Sequence, residues 1–305
     1  MTHPDTDPVL TDGGLETWLV FDCGLKLPEF AAFPLLDSAA GRETLTDYWL
    51  RHIAIAHEYR LGFILGAPTW RANADWGAKL GYDPAALDRI NRQAIGFMQA
   101  LRDIHETSSS PMPVWGSIGP RFDAYHPETV MSADQAQAYH EAQISSFAGA
   151  GADGASAMTV THSSEAIGIV RACRAAGLAC VISFTTETDG HLPGGQGLGE
   201  AILEVDAATG SGADYFMINC AHPEHFSAAL AAGGAWLHRL GGLRANASRK
   251  SHAELDNATE LDAGDAAELG ALYHALRRQL PRLTVLGGCC GTDDKHIAAI
   301  CRACV

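Results

Sequence analysis

The stretch RLTVLGGCC, residues 282–290, is the last apolar run of the chain and ends on two adjacent thiols, Cys289 and Cys290. It is short, β-branched in part and closed by glycines, which suits a buried strand better than a helix. Seven further runs of the same kind precede it, at 9–14, 63–70, 112–120, 153–161, 179–187, 214–221 and 241–248, the last (GGLRANAS) being the weakest. Between them lie amphipathic segments at 44–62, 132–151, 163–177, 197–208 and 265–280. Their apolar residues recur at three- and four-residue spacing, as a helix with one buried stripe requires. Several open with Ser, Thr or Asp and close at Gly, as capped helices do. Eight strand–helix alternations predict an α/β chain folded as a single (β/α)8 TIM barrel over residues 1–305. A doubly wound sheet shares the alternation, but no GxGxxG follows the first run. The widest irregular stretches are 21–43, 187–197 and 247–264. The last two would follow the fifth and seventh strands, on the face where such barrels keep their sites.

Composition narrows the function. Hydrophobic residues make up 47%, enough for a large core. The net charge is −15, with no Lys/Arg cluster, which argues against nucleic acid or an anionic membrane as partner. The start, MTHPDTDPVL, has no basic segment followed by an apolar run, and no stretch of about 18 apolar residues occurs. The expected location is the cytoplasm, where eight cysteines are expected as reduced thiols, some on metal, rather than as a disulfide framework. No separable interface element marks an oligomeric state.

With these strands, Cys220 of MINCAHP stands at the end of the sixth strand, and Cys289 and Cys290 at the same end of the eighth. Three thiols from two strand ends can converge over one barrel mouth. Three protein ligands with an open fourth position is the arrangement of a catalytic zinc. Packing, a strained disulfide between Cys289 and Cys290, and a closed site joining that pair to Cys301 and Cys304 are the competing readings. Cys301 and Cys304 lie in the helical pattern HIAAICRAC, where such spacing fits an apolar face. Cys23, Cys173 and Cys180 read as small core residues.

The order DGGLET (12–17), GSIGP (116–120), SFTTETDGHLPGGQGLGEAI (183–202), INCAHP (218–223) and GGCCGTDDKHI (287–297) resembles the homocysteine S-methyltransferases. These include the betaine- and S-methylmethionine-dependent enzymes and the homocysteine module of methionine synthase. The resemblance runs from about Asp12 to Ile297. It implies a zinc-dependent barrel with Cys220, Cys289 and Cys290 as metal ligands, moving a methyl group from a small onium donor to homocysteine to give methionine. Folate and cobalamin domains do not fit this length, so the donor is expected to be a sulfonium or quaternary ammonium compound. The chemistry agrees. An alkyl thiol has a pKa near 8.5, and a zinc ion holds it as the nucleophilic thiolate. Three cysteine thiolates leave the ion electron-rich, which favours alkyl transfer over water activation. No catalytic side chain is expected beyond that activated substrate thiolate. A methyltransferase or demethylase for another small thiol, and a non-catalytic zinc-binding barrel, are the alternatives.

The same resemblance implies that Asp12 and Gly13 contact the acceptor, that Thr69-Trp70 lines the site, and that Asn219 supports the metal. Trp18, Trp70 and Trp115 fall at or just past strand ends, so each could offer a face to an onium cation or simply pack at the rim. Two departures stand out. Met158 occupies the position where the family usually places an acid facing the substrate ammonium. Glu16, unusual within the first-strand motif, is expected to supply the missing carboxylate or else to favour a helix N-terminus. The loop ANASRKSHAELDNATELD (245–262) also lacks the family's Pro-Asn-Ser-Gly stretch.

Overall fold

In the computed structural model, residues 7–124 and 129–305 are described. Nine hydrogen-bonded segments form one parallel sheet: β1 (Val9–Leu10), β2 (Gly62–Phe63), β3 (Leu65–Gly66), β4 (Val114–Ile118), β5 (Gly154–Val160), β6 (Ala179–Phe184), β7 (Tyr215–Asn219), β8 (Leu240–Ala245) and β9 (Val285–Gly288). The order runs β2-β1-β9-β8-β7-β6-β5-β4-β3, so β2 and β3 stand at its two ends. Only Ile64 separates them. Its amide donates to Leu10 on one side, while Phe63 and Leu65 donate to Pro111 and Pro113 on the other. β2 and β3 are therefore one strand that joins both ends, and the sheet closes as an eight-stranded α/β barrel.

Each expected run contains a strand, including the weak one at 241–248. The strands are shorter than the runs because their last residues turn away into the loops over the mouth. All five expected helices form, over Ala39–Tyr59, Ala133–Gly149, Ser163–Ala176, Leu198–Thr209 and Ala266–Gln279. Pro84–His105 completes the second strand–helix unit, although it was not among the expected helices. Its signals are ordinary: Asp83 accepts from Ala86 as N-cap, Pro84 occupies the first turn, and Leu87, Ile90, Ala94, Met98 and Leu101 are buried on one stripe. Pro223–Ala231 and Asp294–Cys304 follow β7 and β9. The irregular stretch 21–43 ends earlier than expected, since Ser38 caps the first long helix by accepting from Gly41.

Strand residues facing the helices, such as Phe63, Val114, Ile182, Phe216 and Leu286, belong to the main apolar core. Inside the barrel a smaller cluster of Met158, Val181 and Met217 packs against Trp70, Trp115 and Tyr215. At the mouth the first and last loops touch backbone to backbone. A Cβ on Gly13 would lie 2.7 Å from the Thr292 carbonyl oxygen, and one on Gly14 would lie 2.5 Å from that of Cys289. The glycines of DGGLET thus exist because GGCCGT lies directly against them. Among the described residues, no helix is long and apolar enough to cross a membrane.

Candidate metal and substrate site

A cavity of about 720 Å³ opens at the carboxyl ends of the strands, walled by the loops after β1, β3, β4, β7, β8 and β9 and by Met158 and Thr159 near the end of β5. Cys220, the first residue past β7, adopts φ +53°, a left-handed conformation rare for a residue with a side chain. Its carbonyl accepts from His252 Nε2 at 2.8 Å, and His252 Nδ1 lies 3.1 Å from Glu187. Both irregular loops foreseen at 187–197 and 247–264 therefore contribute to holding one cysteine. Cys289 and Cys290 follow β9, and the sulfurs of Cys220, Cys289 and Cys290 lie within 4.8 Å of one another. It is the only metal-competent group of three His, Cys, Asp or Glu side chains among the described residues.

In this structure Cys220 and Cys289 are joined as a disulfide, and Cys290 Sγ lies 3.9 Å from Cys220 Sγ. Reduced thiols were expected here, and the strained alternative was a bond between the adjacent Cys289 and Cys290. The bond instead links two strand ends that the barrel brings together, 69 residues apart in sequence. Cys301 is fully buried on the last helix and takes no part. A disulfide sulfur cannot act as a thiolate ligand, so a metal needs the reduced form, in which three thiolates face the cavity.

Asn219 is locked beside them. Its Oδ1 accepts from the Thr159 amide at 2.8 Å and from the Ser183 hydroxyl at 2.6 Å. Its Nδ2 donates to Thr159 Oγ1 at 2.9 Å and points at Cys289 Sγ, 3.7 Å away. The amide's orientation is thus dictated by two acceptor contacts on one side, leaving the NH₂ group toward sulfur.

The family model described as homocysteine S-methyltransferase matches residues 9–304. The chain belongs to the homocysteine S-methyltransferase family. It is a methyltransferase. Among solved structures it resembles the Escherichia coli homocysteine methyltransferase MmuM. The oxidized form of MmuM aligns with TM-score 0.76 and 21% identity over 97% of this chain and 96% of that one. The metallated form aligns with TM-score 0.74 and 19% identity over 98% and 96%. The apo form aligns with TM-score 0.67 and 20% identity over 99% and 97%. At such identities the likeness is one of fold. No curated protein sequence matches.

The remaining expected residues of the methyltransferase fall at different places. Asp12 and Gly13 line the cavity, but both are already engaged. Asp12 accepts from the Tyr48 hydroxyl at 3.1 Å and pairs with Arg244 Nη2 at 2.9 Å. Arg244 also donates to the carbonyls of Gly13 and Gly288. The Gly13 amide donates to His52 Nε2 at 3.2 Å, while His52 Nδ1 donates to the Tyr48 carbonyl, so His52 is neutral with its proton on Nδ1. Burial lowers its pKa in the same sense. Glu16 lines the cavity, and its pKa is pushed up to about 7. Burial is the main cause, with the Asp12 charge adding to it and Arg244 and Arg71 opposing it. Met158 and Trp70 line the cavity together, the Trp70 indole donating to the Met158 carbonyl.

Two of the three tryptophans do not reach the cavity. Trp115 packs inside the barrel against Met158 and its neighbours. Trp18 is buried against Tyr48, with Arg51 above it. The cavity wall instead carries Trp49 and Trp76. Tyr48, His52, Arg71, Arg244 and His252 were not foreseen. A weak signal existed for two of them: Tyr48 and His52 stand one helical turn apart, on a common face. Arg244 is a lone charge within a buried strand, which calls for a partner.

Proposed function

We propose that the enzyme transfers a methyl group from a small onium donor, such as S-methylmethionine or betaine, to homocysteine, with zinc held by Cys220, Cys289 and Cys290. The observation that carries this reading is the convergence of three sulfurs from two strand ends at the wall of one cavity. A zinc ion bound there would supply the Lewis acidity that keeps the acceptor thiol deprotonated at neutral pH. The thiolate lone pair then forms the new S–CH₃ bond, while the donor's methyl–onium bond breaks and its electron pair leaves with the neutral sulfide or amine. Around this step the protein's own groups position and select. Asn219 holds Cys289 by an amide that cannot rotate. Glu16, ionised in part at neutral pH, offers the carboxylate for the acceptor ammonium that Met158 cannot supply. Carboxylates outnumber cations on the cavity wall, with Glu29, Asp256, Glu260 and Asp262 among them, which favours a cationic donor. A site of free thiolates needs a reducing compartment, so we place the enzyme in the cytoplasm.

One observation favours a second reading. Asp12 is already paired with Arg244 and hydrogen-bonded by Tyr48, so reading of the acceptor ammonium passes to Glu16 in this account. If Glu16 does not read the ammonium, the acceptor is a small thiol without an amine. The test is a screen of reduced, zinc-loaded protein with homocysteine and amine-free thiols against S-methylmethionine, betaine, methylcobalamin and a methylfolate. We expect methionine formation from an onium donor, with about one zinc per chain. Methylation supported only by methylcobalamin or a methylfolate would defeat the donor assignment.

A further inference from the structure

The carbonyl of Cys220 stands outside the β7–β8 ladder. The Cys220 amide donates to the Arg244 carbonyl at 3.2 Å, but the next bond of the ladder runs from the Asn246 amide to the Ala221 carbonyl and passes Cys220 over. The left-handed conformation of Cys220 accompanies this skip. Its carbonyl is taken up instead by His252 Nε2 at 2.8 Å and by the Thr185 hydroxyl at 3.4 Å. His252 Nδ1 lies 3.1 Å from Glu187 Oε1, so the ring is held by oxygens on both sides. A buried backbone acceptor without a donor is costly, so these contacts favour the one Cys220 conformer that they satisfy. In that conformer the Cys220 sulfur joins those of Cys289 and Cys290.

His252 is also the first residue of a short helix, His252–Asp256. Reciprocal capping fixes that helix: Ser251 Oγ accepts from the Glu254 amide at 3.4 Å, and Glu254 Oε2 accepts from the Ser251 amide at 2.8 Å. Leu255, Ala258, Glu260 and Leu261, in the helix and the stretch after it, line the cavity. Asp262 ends this wall by accepting from the Ser248 hydroxyl at 2.7 Å. From Arg249 to Ala263, His252 is the only buried residue. A segment with so little burial opens readily unless something pins it. Here the buried pin rests on the backbone of a sulfur ligand. Whatever stabilises Cys220 in its observed conformer therefore stabilises the docked wall, and the reverse holds by linkage.

We propose that His252 is a positioning residue for the metal, holding Cys220 in its metal-binding conformer and coupling occupation of the sulfur site to closure of the cavity wall over residues 252–262. This rests on the three-cysteine metal reading above. The experiment uses reduced, full-length protein with zinc alone, and reads zinc affinity by chelator competition and amide hydrogen exchange over 252–262. In wild type, zinc should slow exchange in that segment by about fivefold or more. His252→Ala should weaken zinc by about 10- to 100-fold. At saturating zinc its 252–262 segment should exchange as fast as in the zinc-free variant. His252→Gln, which keeps an N–H donor, should recover part of both effects. Glu187→Ala, which frees the ring without removing it, should weaken zinc by about three- to tenfold. These two variants decide the matter if His252→Ala does not fold. Unchanged zinc affinity with a lower melting temperature of the zinc-free protein would make His252 merely structural and overturn the proposal. Weakened zinc with protection of 252–262 intact would overturn the coupling. If zinc binds and the coupling holds but no onium compound methylates a thiol, this inference stands and the donor reading falls. If wild type binds no zinc, both fail.

Discussion

Cys289 and Cys290 close the last strand, while Cys301 and Cys304 lie a few residues on, in the last helix. Both pairs are close in sequence, yet only the first belongs to a site. A strand ending at the barrel mouth delivers its following residues to the cavity, where Cys220 arrives from β7. A helix on the outside turns its cysteines into the core. Cys301 is fully buried, and burial pushes its thiol up to about 12, so it stays protonated and inert. The lesson is that thiol reactivity here follows from which end of which element carries the residue, rather than from cysteine spacing.

The largest test of that contrast is replacement within the mouth group. Cys220→Ala, Cys289→Ala and Cys290→Ala should each strip the metal and reduce turnover to background while leaving the barrel folded, as read by metal analysis and circular dichroism. If Cys301→Ala removed metal while Cys220→Ala retained it, the contrast would be reversed. A second test asks whether the mouth cysteines depend on their neighbours. Asn219→Leu should weaken metal binding by about 10–100-fold, the usual effect of losing an orienting partner of a ligand, measured by competition with a chelator. Unchanged affinity would mean that the Asn219 amide only ties β7 to β5 and β6.

Glu16 sharpens the picture further, because its effects have opposite signs in binding and in stability. Glu16→Gln should cost homocysteine about 1–3 kcal/mol of binding and leave amine-free thiols unaffected, read as kcat/KM for matched acceptors. Equal loss for both would make Glu16 structural. For stability, a carboxyl raised in the folded state binds more protons folded than unfolded between about 4.5 and 7. Stability therefore falls as pH rises through that window and is flat above it. Removing the group should raise the melting temperature of the ligand-free protein at pH 8, by at most about 3 kcal/mol in stability, and change it little at pH 4. A variant that is less stable at pH 8 would contradict burial as the cause of the shift. The smallest effect belongs to Cys301→Ala, with full metal and activity and a loss of about 1 kcal/mol from a trimmed core position, read by urea denaturation.

What the residues alone determined was the alternation of strands and helices and which three cysteines meet at the barrel mouth. Apolar periodicity is local, and a cysteine just past a strand is placed by that strand. The first-loop and last-loop glycines were legible as motifs, though the reason for them, backbone packed on backbone, required both loops together. Only the tertiary structure decided the rest. It sent Trp18 and Trp115 into packing and kept Trp70 at the cavity. It joined Asp12 to Arg244, 232 positions along the chain by their numbers, and seated Arg71 between two indoles. It also linked Cys220 to Cys289 rather than Cys289 to its neighbour. Charge pairing, stacking and sulfur–sulfur contact all act over a few ångströms in space. Barrel closure sets those distances between residues remote in sequence, and no local pattern encodes them.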